Sequence, residues 1–218
     1  LQNADAALAA TDADPLARAE LQHFLGQLEW QRGRYPEAEE RLRQAIEGRP
    51  GDTATARKHR VRSRLLLAAL LRELGRFDDA GAGLELAAQD LAPIAAAEPR
   101  AAADVRTATA ALHTELGRYD EALALLAEAR ELLTGAFGPE HPTLANLLRE
   151  FGETYEQAGR LDEARAALEQ ALAHDRRIGD SNPDVDTDLF QLASVEMEAG
   201  RFDRAEELFE EVLWRDRE

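Results

Sequence analysis

The chain has 218 residues with 43 acidic and 26 basic side chains, a formal charge of −17, and that surplus argues against general nucleic-acid affinity, which needs dense lysine and arginine. It contains no cysteine, which removes disulfide staples and thiol-based metal or redox chemistry and fits a cytoplasmic location. Its 44% hydrophobic, 6% aromatic, 32% charged composition suits helical hairpins, and the longest apolar run, Leu65 to Leu71, is far below the ~18 residues of a membrane span.

The chain starts at Leu1 with no signal-peptide pattern, which reads as a piece of something longer. Residues 1–14, with Leu1, Ala4 and Leu8 as a short apolar pattern, are expected to be a helical remnant of a preceding unit or a frayed cap. One signature then recurs along the chain. It stands as Gly33-Arg34-Tyr35-Pro36-Glu37-Ala38, Gly75-Arg76-Phe77-Asp78-Asp79-Ala80, Gly117-Arg118-Tyr119-Asp120-Glu121-Ala122, Gly159-Arg160-Leu161-Asp162-Glu163-Ala164 and Gly200-Arg201-Phe202-Asp203-Arg204-Ala205. The glycines are 42, 42, 42 and 41 residues apart. A fixed period of this size marks a stacked repeat protein, here five units at about 15–50, 51–93, 94–138, 139–180 and 181–218.

Each unit has the same internal pattern when counted from its glycine. Seven residues before it stands Gly26, Ala68, Ala110, Gly152 or Ala193, small enough for two helices to approach closely. After it come Ala38/Leu42/Ala45, Ala80/Leu84/Ala87, Ala122/Leu126/Ala129, Ala164/Leu168/Ala171 and Ala205/Phe209/Val212. Apolar spacings of three and four on both sides predict two amphipathic helices, A and B, joined at a glycine suited to a left-handed helix end. Asp or Pro-Glu just beyond suits the start of helix B. The final helix carries Leu208, Phe209, Val212, Leu213 and Trp214, more apolar than a terminal cap should be. A missing downstream element, self-association through this end, or curling onto its own helix A would each account for it.

The order of large apolar residue, small residue, turn glycine, Ala, Leu or Phe, Ala resembles the tetratricopeptide repeat (TPR) over about residues 15–217. The longer unit, with Gly135-Ala136-Phe137-Gly138-Pro139-Glu140-His141-Pro142 leading into a helix and a looser copy at Gly179–Asp184, resembles the kinesin-light-chain type. The resemblance implies an all-α right-handed superhelical solenoid that serves protein–protein interaction. It also implies that such arrays are often appended to bacterial signalling ATPases, kinases or caspase-like proteases as sensors. With Lys58 as its single lysine, the chain also looks like the product of a high-GC, bacterial coding sequence. The sequence departs from the family at the tyrosine four before the glycine, present only as Tyr155, and lacks the paired asparagines and the carboxylate-clamping Lys/Asn set, so neither kinesin cargo nor chaperone-tail binding carries over.

In such arrays the A helices line the concave face. Positions thirteen, ten, six and three before each glycine share a helical stripe. The candidate groove residues on it are Glu20, His23, Gln27 and Trp30 in the first unit, with Arg62, Leu65 and Arg72 in the second. Thr107 follows in the third, Asn146, Arg149 and Glu153 in the fourth, and Phe190 and Met197 in the fifth. Arginine suits bidentate carboxylate or phosphate contacts and tryptophan suits anchoring. Charge is uneven: residues 41–76 hold ten basic against three acidic side chains, residues 140–218 nine against 21. The densest positive run supplies a candidate basic patch, Arg57, Lys58, Arg60 and Arg64, for an anionic segment or an acidic neighbouring helix. The five histidines show no metal-ligand spacing, and no phosphate loop or nucleophile motif is present. The expectation is a non-enzymatic binding array without cofactor or metal, with a peptide or protein partner, or a sensor module of a larger signalling protein, or a self-association module.

Overall fold

The computed structural model describes residues 15–179 and 182–215; the expected N-terminal remnant at 1–14 lies outside the described residues. Among the described residues there are ten α-helices: α1 (Pro15–Gln31), α2 (Tyr35–Glu47), α3 (Ala54–Glu73), α4 (Phe77–Leu91), α5 (Pro99–Glu115), α6 (Tyr119–Phe137), α7 (Thr143–Gln157), α8 (Leu161–Ile178), α9 (Pro183–Glu198) and α10 (Phe202–Arg215). Odd-numbered helices are the A helices of the five units and even-numbered ones the B helices. The chain divides into two compact units, residues 1–108 and 109–218, with the boundary inside α5.

Every A helix ends in the same way. Gly33, Gly75, Gly117, Gly159 and Gly200 have φ between +71° and +75°, a region that penalises any Cβ. The glycine N–H bonds three residues back and the following arginine N–H five back, as in Gly33 to Trp30 O (2.8 Å) and Arg34 to Glu29 O (2.9 Å). These two bonds satisfy carbonyls that the helix end would otherwise orphan. Acidic pairs such as Asp78-Asp79 and Asp162-Glu163 then sit in the first turn of the B helices, at the positive end of the dipole. Thr53 and Asn182 cap α3 and α9 through side-chain oxygens.

In the first unit Ala38, Leu42, Ala45, Ala80, Leu84 and Ala87 are at most 3% exposed; Ala122, Leu126, Ala129, Ala164, Leu168 and Ala171 form the equivalent core of the second, at most 1% exposed. The close approach of A and B is built on the small residue. A Cβ on Gly26 would meet the Leu42 side chain at 2.8 Å, and one on Gly152 would meet Leu168 at 2.7 Å. The B helices differ in length: α2 and α4 have 13 and 15 residues, α6 and α8 have 19 and 18.

Candidate interaction surfaces

Within each compact unit neighbouring A helices meet in the same register, and this decides which side chains remain available. The residue ten before a glycine meets the residue twelve before the next: His23 Nδ1 lies 3.1 Å from Ser63 Oγ, and Arg149 Nη1 donates to Asp188 Oδ1 at 2.8 Å. Three-before meets five-before in the same way, Thr114 Oγ1 with Thr154 Oγ1 at 2.9 Å. His23–Ser63 and Thr114–Thr154 are buried polar pairs and Arg149–Asp188 is a partly buried one, on a seam where a missing partner is expensive.

The seam redraws the stripe expected from sequence. Positions ten and three before the glycine turn into it: His23 is 4% exposed and Thr114 3%, while Leu65, Thr107, Trp30 and Arg72 are half-buried. Only in the fifth repeat are both open, as Phe190 (57%) and Met197 (51%). Position two before the glycine is exposed in every repeat and position thirteen in all but the first, while nine before is exposed only as Phe24 and six before only as Gln27 and Glu153. The cause is a second neighbour: α1 packs on α2 and also meets α3, and α7 packs on α8 and also meets α9, which widens their buried arcs.

In the first unit this outward face carries Gln27, Arg62 and Phe24, with Glu20 half-buried at its edge. Phe24 is 49% exposed, and the Arg62 guanidinium sits 5.0 Å above its ring centroid. Among the described residues Arg62 is paired with no carboxylate. Trp30 Nε1 donates to Glu73 Oε2 at 2.6 Å, and Tyr35 donates to the other oxygen of the same carboxylate at 2.8 Å. Phe24 is the residue that the sequence stripe omits; the adjacent pair His23-Phe24 holds two aromatic rings, and only the packing shows which faces out. Beneath it, burial and then the charges of Arg62 and Arg49 hold the His23 imidazole down at about 4.

The basic run is consumed within the first unit. Arg60 grips Asp90 on α4 with contacts at 2.5–3.1 Å and donates to the carbonyls of Arg49 (2.9 Å) and Gly51 (2.7 Å). Arg64 reaches the same carboxylate at 3.1 Å, Arg57 pairs with Asp52 at 2.9 Å and Lys58 with Glu98 at 2.8 Å. Arg60 and Arg64 thus meet an acidic side chain of a neighbouring helix, Asp90 on α4.

In the second unit the outward A face is acidic and polar: Asn146, Glu153, Thr187 and Glu198 are exposed. Arg149 turns inward between Asp175 (2.7 Å) and Asp188, both at most 2% exposed, and its other arm donates to Asn146. Burial pushes the Asp188 carboxyl above its usual range; Arg149 opposes this and the Asp175 charge adds to it. At the end of the chain Leu213 (57%) and Trp214 (58%) are exposed, while Leu208 is buried. Among the described residues no group of three His, Asp or Glu is placed to hold a metal, and no helix is long and apolar enough to cross a membrane.

Sequence models described as tetratricopeptide repeat match residues 1–53, 25–96, 102–177 and 159–218. The chain belongs to the tetratricopeptide repeat family. Among solved structures it is similar to BtubC (BKLC) from P. vanneervenii, at 22% identity and a TM-score of 0.77, covering 99% of this chain and 86% of that one. It is also similar to a putative kinesin light chain of Podospora anserina with nearly identical TPR-like repeats (24%, TM-score 0.69, 93% and 96% covered). A third is the signal-transduction ATPase with numerous domains carrying a TPR sensor, PH0952 of Pyrococcus horikoshii (16%, TM-score 0.73, 91% and 29% covered). No curated protein matches. At these identities the likeness establishes the fold: this is an all-α TPR solenoid with kinesin-light-chain-like neighbours. TPR repeats generally mediate protein–protein interaction and are typically non-catalytic scaffolds.

Proposed function

We propose that the chain is a protein-interaction array that holds a peptide or protein segment on the A-helix face of its first unit, the concave groove of arrays resembling it. The observation that carries this reading is the Arg62–Phe24 pair: a half-exposed aromatic ring under a guanidinium that no carboxylate of the described residues neutralises. An aromatic platform beside an unpaired arginine suits an apolar anchor next to a carboxylate or phosphate. Trp30 and Arg72 flank it along the seam. The reading that treats the array as a sensor of a larger protein leaves this face with the same role.

The test is selection of displayed peptides against the chain, with Phe24→Ala, Trp30→Ala and Arg62→Glu as counter-targets. A convergent motif lost in Phe24→Ala and Arg62→Glu supports the groove. Enrichment that survives all three variants overturns it. A second reading, self-association through the last helix, rests on the exposure of Leu213 and Trp214. Light scattering tests it: a monomeric wild type, or a dimer untouched by Leu213→Glu with Trp214→Glu, removes it.

A further inference from the structure

The B helices of neighbouring repeats within a unit enclose a groove floored by the A helix between them. In the first unit it lies between α2 and α4 over Leu67 and Leu71, a cavity of about 290 Å³. Its arginines are already neutralised: Arg43 pairs with Glu39 at 2.6 Å and Arg64 with Asp90 at 3.1 Å. In the second unit the same register places Phe151 and Tyr155 on the floor between α6 and α8, a cavity of about 320 Å³. Here the walls run on, because α6 and α8 are several residues longer than α2 and α4. The extension adds a further cavity of about 300 Å³ over Leu144, Leu147 and Leu148. From Leu144 to Tyr155 the floor spans about 16 Å at 1.5 Å per residue.

Arg130 lines both cavities and stands where they meet. It replaces Ile46 of the first unit's groove, thirteen residues after the turn glycine in each case. It is exposed, 5.2 Å from the Phe151 ring centroid, and among the described residues it is paired with no carboxylate. The other ionic groups along this groove pair with one another, Arg177 with Glu140 and Arg160 with Glu163. In residues 109–218, with 26 acidic and 11 basic side chains, an arginine that no carboxylate of the described residues neutralises, set over an apolar floor, is conspicuous.

We propose that the groove over α7, between α6 and α8, is a second docking site, for a protein segment that presents a bulky apolar side chain beside a carboxylate. The apolar side chain fills the cavity over Leu144, Leu147 and Leu148, and the carboxylate takes the guanidinium of Arg130. Charge complementarity selects the occupant: a cationic segment would meet Arg130 on entry and gain nothing from the floor that an acidic one does not.

The probe is a fluorescein-labelled peptide Asp-Leu-Phe-Asp-Leu-Leu, with the analogue carrying Lys for Asp as control, titrated into the full chain by anisotropy and amide chemical-shift mapping. The expected result is saturable binding with shifts on α6, α7 and α8, weakened at least about tenfold by Arg130→Glu. Ala173→Trp, an exposed position on the wall, should block the cavity while circular dichroism shows an unchanged fold. Arg62→Glu should leave this binding intact. Equal affinity for Arg130→Glu, equal affinity for the lysine analogue, or no shift at about 1 mM peptide overturns the site. Loss of binding in Arg62→Glu alone overturns it too, and moves the peptide to the A-helix face.

Discussion

Asp188 accepts a 2.8 Å hydrogen bond from Arg149 through Oδ1, while its Oδ2 is buried with no partner among the described residues. With Asp175 also on Arg149, two buried carboxylates share one guanidinium beside the exposed Asp184, whose Oδ2 lies 3.9 Å from it. The site carries one negative charge too many, and burial relieves it by raising the Asp188 carboxyl above its ordinary range. A folded-state value above the unfolded one contributes stability at low pH that is lost as pH rises through the folded value. The packing of α9 on α7 and α8 should therefore tighten on mild acidification. Asp188→Asn, which mimics the protonated acid, should remove that dependence and stabilise the second unit by about 1 kcal/mol at pH 8. Hydrogen exchange of α9 amides at pH 6 and pH 8 reads the effect; the same slope in Asp188→Asn would refute it.

His23 should give the opposite sign in the first unit. Its imidazole is held down at about 4 by burial and by Arg62 and Arg49, so the unfolded chain takes up a proton first. Stability present above the unfolded value is lost as pH falls toward 4, at most about 2 kcal/mol by pH 5. Exchange at α1 and α3 should quicken between pH 7 and pH 5, and His23→Gln should flatten the change.

Asp90 holds Arg60 and Arg64. Burial alone would raise its carboxyl, but the hydrogen bonds and charges of these arginines carry it below the usual range. Asp90→Ala leaves two half-buried guanidiniums without their acid and should cost about 2–4 kcal/mol in urea unfolding. Arg64→Met should cost less, because Arg60 still satisfies the carboxylate.

Gly152→Val should destabilise the second unit by about 1–3 kcal/mol, since even a Cβ would meet Leu168 at 2.7 Å in a filled core. Thermal unfolding checks it. Gly135→Ala, on the same unit with nothing within 4 Å of the added carbon, should be neutral or mildly stabilising.

Much of this fold is legible as text because repeat proteins are governed by near neighbours. The 42-residue period, the turn glycines and the Ala/Leu/Ala triplets are local patterns, and each maps on a structural counterpart within its own hairpin. The face of the A helix is less legible. The 3.6 periodicity places His23, Arg149 and Thr114 on a plausible outward stripe, yet each is satisfied by a residue about forty positions later, in the next repeat. The fate of the basic run depends on Asp90, 26 residues beyond Arg64.

The sequence by itself determined the architecture: five helical hairpins whose ends are set by left-handed glycines and whose cores are set by small and large apolar residues in register, all properties of short-range sterics and burial. Only the tertiary structure decided what is left over for a partner. Packing between neighbouring A helices buries polar side chains in pairs, turns Phe24 and Arg62 outward, spends Arg60 and Arg64 on Asp90, and leaves Arg130 above an apolar groove with no carboxylate of the described residues to neutralise it, because each of these outcomes depends on which charges and surfaces meet across the space between hairpins.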